Sequence, residues 1–180
     1  MNDSVGAAEL DRIARAIRDV ARIHGTFTLR SGVETDTYFD KYRFEADPAL
    51  LKQIGEALVP LIPAKATALA GLEMGGIPLV TMLGQLTGMP TAFLRKQAKK
   101  YGTCRYAEGA ELKGERVLMV EDVVSSGGAI IDTLNMLRGD GIEPIGAICV
   151  IDRESGGQQN LENVGLQLTA LLTMSRIEAA

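Results

Sequence analysis

The residues from Glu121 to Ala129 combine carboxylates, hydroxyls and glycines in an order that suits a phosphorylated sugar. Glu121 and Asp122 can accept hydrogen bonds from sugar hydroxyls. The turn 125–128 that follows reads Ser-Ser-Gly-Gly, and glycines let the backbone approach an anion closely. A helix is predicted from Ala129, and its first amides and its dipole favour negative charge. Phosphate at one end and diol acceptors at the other predict a ribose 5-phosphate site.

Two apolar elements would hold this turn in place. Residues 117–120 predict a buried strand, and residues 129–137 carry apolar side chains at helical spacing. The turn lacks both the Gly-Lys-Ser/Thr of a Walker loop and the G-x-G-x-x-G of dinucleotide sites. A glycine turn after a strand is common in parallel α/β proteins, so the glycines alone are weak evidence. The whole string resembles the phosphoribosyl pyrophosphate (PRPP) signature of type I phosphoribosyltransferases.

The rest of the chain alternates predicted helices and strands. Helices are predicted over 5–23, ending at Gly25, from Asp47-Pro48 to Pro60, and over 77–86, ending at Gly88. Strands are predicted over 27–32, 35–43, 66–72, 91–94 and 145–151, with a last apolar stretch over 164–172. This alternation predicts an α/β fold with a mostly parallel central sheet flanked by helices and a small N-terminal hood.

We predict one phosphoribosyltransferase-type domain over residues 1–180. The hood would comprise roughly 1–45 plus the C-terminal segment, and the core roughly 46–155. Ligands of such sheets gather at the carboxyl ends of the strands, where all the candidate motifs lie.

Composition narrows the class of protein. The chain has 180 residues, 46% of them hydrophobic, which suffices for one core. We expect a cytoplasmic protein, because no apolar run approaches a membrane span of about 18 residues and the N-terminus lacks a signal-peptide pattern. Two cysteines and one histidine argue against a disulfide framework or a zinc site. The net charge of −4 argues against nucleic acid as a partner.

A basic segment follows the predicted strand 91–94. Its five cations stand within eleven residues that contain no acid: Arg95, Lys96, Lys99, Lys100 and Arg105. In isolation such a run is more often a solvated surface. Beside a phosphate site, it predicts a lid that neutralises a departing pyrophosphate and excludes water.

The chain resembles the orotate phosphoribosyltransferase family in five motifs that occur in the same order. The motifs are the hood segment Phe27 to Gly32 with Tyr38-Phe39-Asp40, the turn Gly71 to Pro78, the lid that begins at Arg95, the PRPP signature, and Asp152-Arg153-Glu154. Each motif has an ordinary structural explanation when it stands alone. Their common order implies transfer of the phosphoribosyl group of PRPP to N1 of orotate.

The resemblance also implies roles for individual residues. Lys99, Arg95 and Asp122 would be catalytic. Orotate would be bound by Tyr38, Phe39, Ser125 and Arg153. PRPP would be bound by Arg30, Met74, Gly75, Arg95, Lys96, Lys99, Tyr101, Glu121, Asp122, Val123, Val124, Ser125, Ser126, Gly127, Gly128 and Ala129. Mg²⁺ would be the cofactor, bound through PRPP oxygens and water without a direct protein ligand. The resemblance further implies a homodimer with a lid shared across subunits.

Three positions depart from the family pattern. Gly75 replaces a pyrophosphate-binding lysine of several relatives, Tyr101 replaces a histidine, and Glu121 replaces the first of two aspartates. Two other functions stay open. One is a salvage phosphoribosyltransferase that acts on another base, and the other is a regulator that binds PRPP without catalysis.

Overall fold

The structure is a computed structural model that describes residues 5–28, 32, 34–97 and 106–180. Its strands are β1 (Arg22–Thr28), β2 (Glu34–Phe39), β3 (Ala68–Leu72), β4 (Thr91–Leu94), β5 (Ala107–Gly109), β6 (Val117–Val124), β7 (Gly146–Asp152) and β8 (Leu168–Thr173). Its helices are α1 (Ala7–Ala21), α2 (Tyr42–Ala46), α3 (Pro48–Leu58), α4 (Gly76–Thr87), α5 (Gly128–Gly139), α6 (Gly157–Asn163) and α7 (Met174–Ala179), with a 3₁₀ turn at Val59–Leu61. Within this part of the chain, no helix has the length and apolar character of a membrane span.

The central sheet has six strands in the order β5-β4-β3-β6-β7-β8. All neighbouring pairs are parallel except β4 and β5, which are antiparallel. Every residue of β3 and β7 is buried, as expected for strands with helices on both faces. The predicted α/β fold with a mostly parallel sheet and flanking helices is confirmed.

The sheet separates two apolar cores. Ile13 and Ile17 of α1 pack with α3 and α4 on one face of the sheet. Ile130 and Leu134 of α5 pack with Leu161 of α6 on the other face. With both faces covered, the carboxyl ends of the strands form the edge at which side chains of several elements converge.

The hood contains a two-stranded antiparallel ribbon, and the boundaries of its elements correct two predictions. Helix α1 ends at Ala21 and not near Gly25, because Arg22 already pairs with Phe39 and the chain continues as β1. Gly25 therefore lies within a strand. The second strand ends at Phe39 and not at residue 43, since the chain turns there into α2.

Local end signals fixed other elements as predicted. The Asp47 side chain accepts hydrogen bonds of 3.0 Å from the amides of Ala49 and Leu50 and so caps α3. Gly88, with φ of 73°, closes α4. Strand β6 is longer than predicted, because its pairing with β7 continues to Val124, so the two acids lie inside the strand.

The C-terminal segment packs on the N-terminal helix. Arg176 of α7 contacts Asp11 of α1 at 2.8 Å and donates to the carbonyl of Ala7 at 2.9 Å. Helices α2, α6 and α7 and the edge strand β5 were not predicted.

Candidate active site

A cavity of about 470 Å³ opens at the carboxyl ends of the central strands. Fourteen residues from the hood, the turn after β3, the lid and the β6–α5 connection line it: Lys41, Tyr42, Glu73, Met74, Lys96, Glu121, Val123, Val124, Ser125, Ser126, Gly127, Gly128, Ala129 and Ile130. Another cavity, of about 500 Å³, lies beside β5 and is lined by none of the predicted site residues. The first cavity therefore brings together the turn 125–128, Glu121, Met74 and Lys96, whereas Gly75, Arg95 and Asp122 do not line it.

The turn after β6 presents unpaired amides to this cavity. Gly127 adopts a left-handed conformation with φ of 78°, and α5 begins at Gly128 without a side-chain cap. Ser125 and Ser126 are exposed. The first amides of an uncapped helix are ready donors for an anion such as a phosphate monoester.

Helix α6 holds the back of this turn in place. The Asn160 side-chain amide donates to the carbonyl of Ser126 at 3.0 Å. A methyl group at Gly157 would lie 2.5 Å from the carbonyl oxygen of Ser125, so only glycine allows the two segments to approach this closely. The turn is thereby fixed by an element that begins 29 residues after it, at Gly157.

Three carboxyl groups are buried under the cavity. Asp122 has no exposed surface, Glu121 is 8% exposed, and Glu45 of α2 is 7% exposed. Gly75 touches two of them, since a Cβ there would lie 1.8 Å from Asp122 Oδ2 and 2.6 Å from Glu45 Oε1. Lys41, directly before α2, places its Nζ 2.6 Å from Asp122 Oδ2.

Burial and mutual contact determine which carboxyl group of this cluster is ionised. Burial, followed by the hydrogen bond and the charge of Asp122, raises the pKa of Glu45 to about 9. Burial is also the main reason that the pKa of Glu121 is raised, with the charge of Asp122 second. Burial opposes ionisation of Asp122 as well, but hydrogen bonds with Glu45, Glu121 and Lys41 outweigh it and lower the pKa of Asp122. Asp122 is thus the ionised member that pairs with Lys41.

The turn after β3 is tied to the start of the lid. The amide of Lys96 donates to Glu73 Oε1 at 2.7 Å, and the amide of Glu73 donates to the carbonyl of Leu94 at 2.8 Å. The amide of Arg95 donates to the carbonyl of Tyr106 at 2.7 Å. Met74 is 59% exposed at the mouth of the cavity. Arg95 and Lys96 therefore leave the sheet beside the turn that contains Gly75.

The residues predicted to bind orotate are less concentrated. Ser125 lines the cavity, whereas Tyr38, Phe39 and Arg153 do not. Tyr38 is 45% exposed and its ring lies 5.5 Å from that of Phe27, while Phe39 packs against the core. This division follows from the alternation of neighbouring side chains in a strand.

A backbone hydrogen bond places Arg153 next to the site. Its amide donates to the carbonyl of Val124 at 2.8 Å, which sets it beside the turn 125–128 with an exposed side chain. The following residue, Glu154, accepts hydrogen bonds of 2.8 and 3.0 Å from the amide and hydroxyl of Ser175. The first turn of α7 therefore anchors the segment that carries Arg153.

Some predicted residues fall outside the described part of the chain, and some site residues were not predicted. Arg30, Lys99 and Tyr101 lie outside the described residues. Lys41, Tyr42, Glu45 and Glu73 were not predicted, although they contact or line the same cavity. The only sequence signal for Lys41 and Tyr42 is their position directly after Asp40 of the hood motif.

The described residues of this site offer carboxyl groups to a metal ion. Within the described ranges, no three His, Cys, Asp or Glu side chains have an arrangement that could hold a metal ion. Glu45 Oε1, Glu121 Oε2 and Asp122 Oδ2 are buried and accept no hydrogen bond from the described residues, although Asp122 Oδ2 forms the ion pair with Lys41.

Comparison with known proteins gives consistent results. Residues 43–164 match the family model described as a phosphoribosyl transferase domain. The chain is 46% identical over 168 residues to an orotate phosphoribosyltransferase of Nocardioides sp., covering 93% of this chain and 94% of that protein. It is 41% identical to the orotate phosphoribosyltransferase of Methanocella arvoryzae, covering 85% and 87% of the two chains.

Solved structures of similar proteins share the fold along almost the whole chain. The orotate phosphoribosyltransferase of Mycobacterium tuberculosis in complex with Fe(III) dicitrate aligns with a TM-score of 0.85 at 29% identity, covering 94% of this chain and 98% of that one. The same enzyme in complex with PRPP aligns with a TM-score of 0.81 at 25% identity, covering 94% and 99%.

Proposed function

The chain belongs to the orotate phosphoribosyltransferase family, and we propose that it transfers the 5-phosphoribosyl group of PRPP to N1 of orotate. The products are orotidine 5′-monophosphate and pyrophosphate, and the reaction belongs to pyrimidine biosynthesis. The observation that carries the proposal is the cavity that the phosphate turn 125–129, Glu121 of β6 and Lys96 of the predicted lid line together.

Different residues of the site bind different parts of the PRPP molecule. The amides at the start of α5 bind the 5-phosphate, and the two acids of β6, Glu121 in the cavity wall and Asp122 buried directly behind it, hold the ribose hydroxyls. Arg95, Lys96 and Lys99 bind the diphosphate from the lid. These groups hold the ribose while its C1 gains positive charge and the diphosphate departs with negative charge. Positioning and charge stabilisation suffice, so the reaction needs no nucleophilic side chain.

Orotate approaches C1 of the ribose from the side of the hood. The Arg153 guanidinium suits its carboxylate, because a guanidinium donates two parallel hydrogen bonds. Ser125 contacts the same base, and Tyr38, with its exposed ring, is better placed than Phe39 to border it. The pocket for the base therefore forms between the phosphate turn and the hood.

The chemistry of the site suits Mg²⁺ bound through the substrate. The available ligands are carboxylate oxygens, which Mg²⁺ prefers, and Glu121 Oε2 is an orphaned acceptor beside the ribose position. When bound with PRPP, the ion would supply positive charge to the leaving group. Glu121 and Asp122 would hold the ribose hydroxyls.

We also infer a homodimer in which the lid of one subunit reaches the site of the other. Support comes from the family resemblance and from the position of Lys96 in the lining of the cavity. The cytoplasmic location stays a prediction from the sequence.

An orotate-consumption assay tests the proposed reaction. The purified protein is mixed with PRPP, Mg²⁺ and orotate, and the loss of orotate absorbance in the ultraviolet is followed. Uracil, adenine and hypoxanthine serve as alternative bases. We expect turnover with orotate and with none of the three other bases. Turnover with another base would identify a salvage enzyme, and PRPP binding without pyrophosphate release from any base would identify a regulator.

A further inference from the structure

Lys41 occupies a position between a buried acid and the open cavity. Its Nζ lies 2.6 Å from Oδ2 of the fully buried Asp122, yet 31% of its own side chain is exposed and it lines the cavity. The backbone fixes this location, since β2 ends at Phe39 and the amide of Tyr42 donates to Asp40 Oδ1 at 3.2 Å. The hood thus delivers one ammonium group to the site.

This ammonium group is charged and retains donors for a ligand. Burial alone would lower the pKa of Lys41, but the neighbouring carboxylates, Asp122 before Glu121, raise the pKa above its usual value. An ammonium group has three N–H donors, and the contact with one oxygen of Asp122 does not use them all. Lys41 can therefore bind a second anion without leaving Asp122.

Gly75 explains why the cation comes from the hood. A Cβ at this position would lie 1.8 Å from Asp122 Oδ2 and 2.6 Å from Glu45 Oε1, so no side chain fits there while the acids stay in place. Position 75 of the turn after β3 consequently cannot carry a lysine in this molecule. Among the described residues that line the cavity, Lys41 and Lys96 are the cations.

We propose that Lys41 is a substrate-binding residue that donates a hydrogen bond to the diphosphate of PRPP while it stays paired with Asp122. The proposal rests on the proposed function, because the diphosphate is the leaving group of that reaction. In this role, Lys41 contacts both Asp122 and the diphosphate that leaves the ribose. Its charge stabilises the negative charge that develops on the diphosphate.

Binding of separate ligands distinguishes this role from that of a structural counter-ion. Calorimetric titrations with inorganic pyrophosphate plus Mg²⁺, and with orotidine 5′-monophosphate, are compared for the wild type and Lys41→Met. We expect pyrophosphate affinity to fall at least about tenfold and nucleotide affinity to change less than about threefold, because the nucleotide has no diphosphate. Lys41→Arg should retain most of the pyrophosphate affinity.

Control variants separate charge from folding. Lys52→Met removes an equivalent charge from an exposed lysine of α3 that pairs with Glu56, and should leave both affinities unchanged. In Lys41→Met the charge of Asp122 would be unpaired, so Lys41→Met/Asp122→Asn is also compared with Asp122→Asn alone. A further loss of pyrophosphate affinity in the double variant supports the proposal.

Two results would overturn the proposal. One is that Lys41→Met loses affinity equally for pyrophosphate and for orotidine 5′-monophosphate, while the double variant loses no more pyrophosphate affinity than Asp122→Asn. Lys41 would then be only a counter-ion of Asp122. The other is unchanged pyrophosphate binding. Orotate turnover by the wild type is measured separately, so failure of the proposed reaction would be recognised independently of Lys41.

Discussion

At the scale of single residues, Gly75 is the position where one added methyl group would disturb most of the site. In Gly75→Ala, the new Cβ would meet Asp122 Oδ2 at 1.8 Å, and both Asp122 and Glu45 would have to move. We expect a loss of about 1–3 kcal/mol in the free energy of unfolding and a weaker affinity for PRPP. Urea unfolding and PRPP titration measure the two effects.

Gly139→Ala is the matched control for this substitution. Gly139 lies in the last turn of α5 and has no atom within 4 Å of its added Cβ. Alanine there should be neutral or stabilising by about 0.5–1 kcal/mol. A Gly75→Ala protein as stable as this control would show that the carboxyl cluster is not packed as described.

The carboxyl cluster also predicts how stability depends on pH. The pKa of Glu45 is raised to about 9, so folded Glu45 holds a proton that the unfolded chain releases above its ordinary pKa. The free energy of unfolding should therefore fall as pH rises towards 9, by up to about 1.4 kcal/mol per pH unit for one proton. Glu45→Gln keeps the shape and cannot lose a proton, so its decline should be shallower.

Urea unfolding at pH 5, 7 and 9 measures this difference. The stability of Glu45→Gln relative to the wild type should increase with pH. Some decline should persist in the variant, because the pKa of Glu121 is also raised. Parallel curves for the two proteins would contradict the assignment of the proton to Glu45.

The sequence predicted the residues of this site that share a local motif. Glu121, Asp122 and the turn 125–128 stand together in the chain, and their chemistry is readable from their order. Lys41 was not predicted, because its contact with Asp122 joins positions about eighty residues apart. No local pattern encodes such a contact, which exists only once the hood is placed on the sheet.

At the scale of elements, the junction of β6 and α5 is the part of the site with the strictest backbone requirement. Gly127 adopts φ of 78°, and alanine in that conformation costs about 1–2 kcal/mol. Its Cβ would also lie 3.2 Å from Leu161. Gly127→Ala should therefore destabilise the fold and weaken binding of ribose 5-phosphate, which isothermal titration measures.

Gly88→Ala separates the two effects. Gly88 has a similar φ of 73° and follows the C-terminal end of α4, the end opposite to Gly75. No atom lies within 4 Å of a Cβ added there. Gly88→Ala should lose comparable stability and keep its affinity for ribose 5-phosphate. An equal loss of affinity in both variants would mean that the turn does not bind the phosphate.

Elements with strong local signals were predicted well, and those that depend on partners were not. The strand 91–94 and the caps at Asp47 and Gly88 match the structure because each signal acts within a few residues. Gly25 was wrongly expected to stop a helix, since strand pairing in the hood overrides its local preference. Helix α6 has few apolar residues and is held by contacts with the phosphate turn, so periodicity could not reveal it.

At the scale of the whole molecule, the hood and the core build the site together. Glu45 and Lys41 belong to the hood region, whereas Asp122 lies on a central strand of the sheet. Contacts between α1 and α7 fix the two ends of the chain against each other, and Ser175 of α7 anchors the segment of Arg153. Movement of the hood would therefore alter the carboxyl cluster and the proposed base pocket at the same time.

The proposed exchange of lids between subunits predicts complementation of two defective variants. Lys99→Ala removes a lid cation and Asp122→Asn removes the ribose acid, so each homodimer should be nearly inactive. On coexpression in equal amounts, half of the dimers are mixed, and one of the two sites in each combines an intact lid with an intact acid. Activity should recover to about a quarter of the wild type.

Lys96→Ala coexpressed with Lys99→Ala is the control, because both substitutions lie in the lid and no site of the mixed dimer receives an intact lid. Orotate turnover that stays at the sum of the separate variants would show that each lid serves its own subunit.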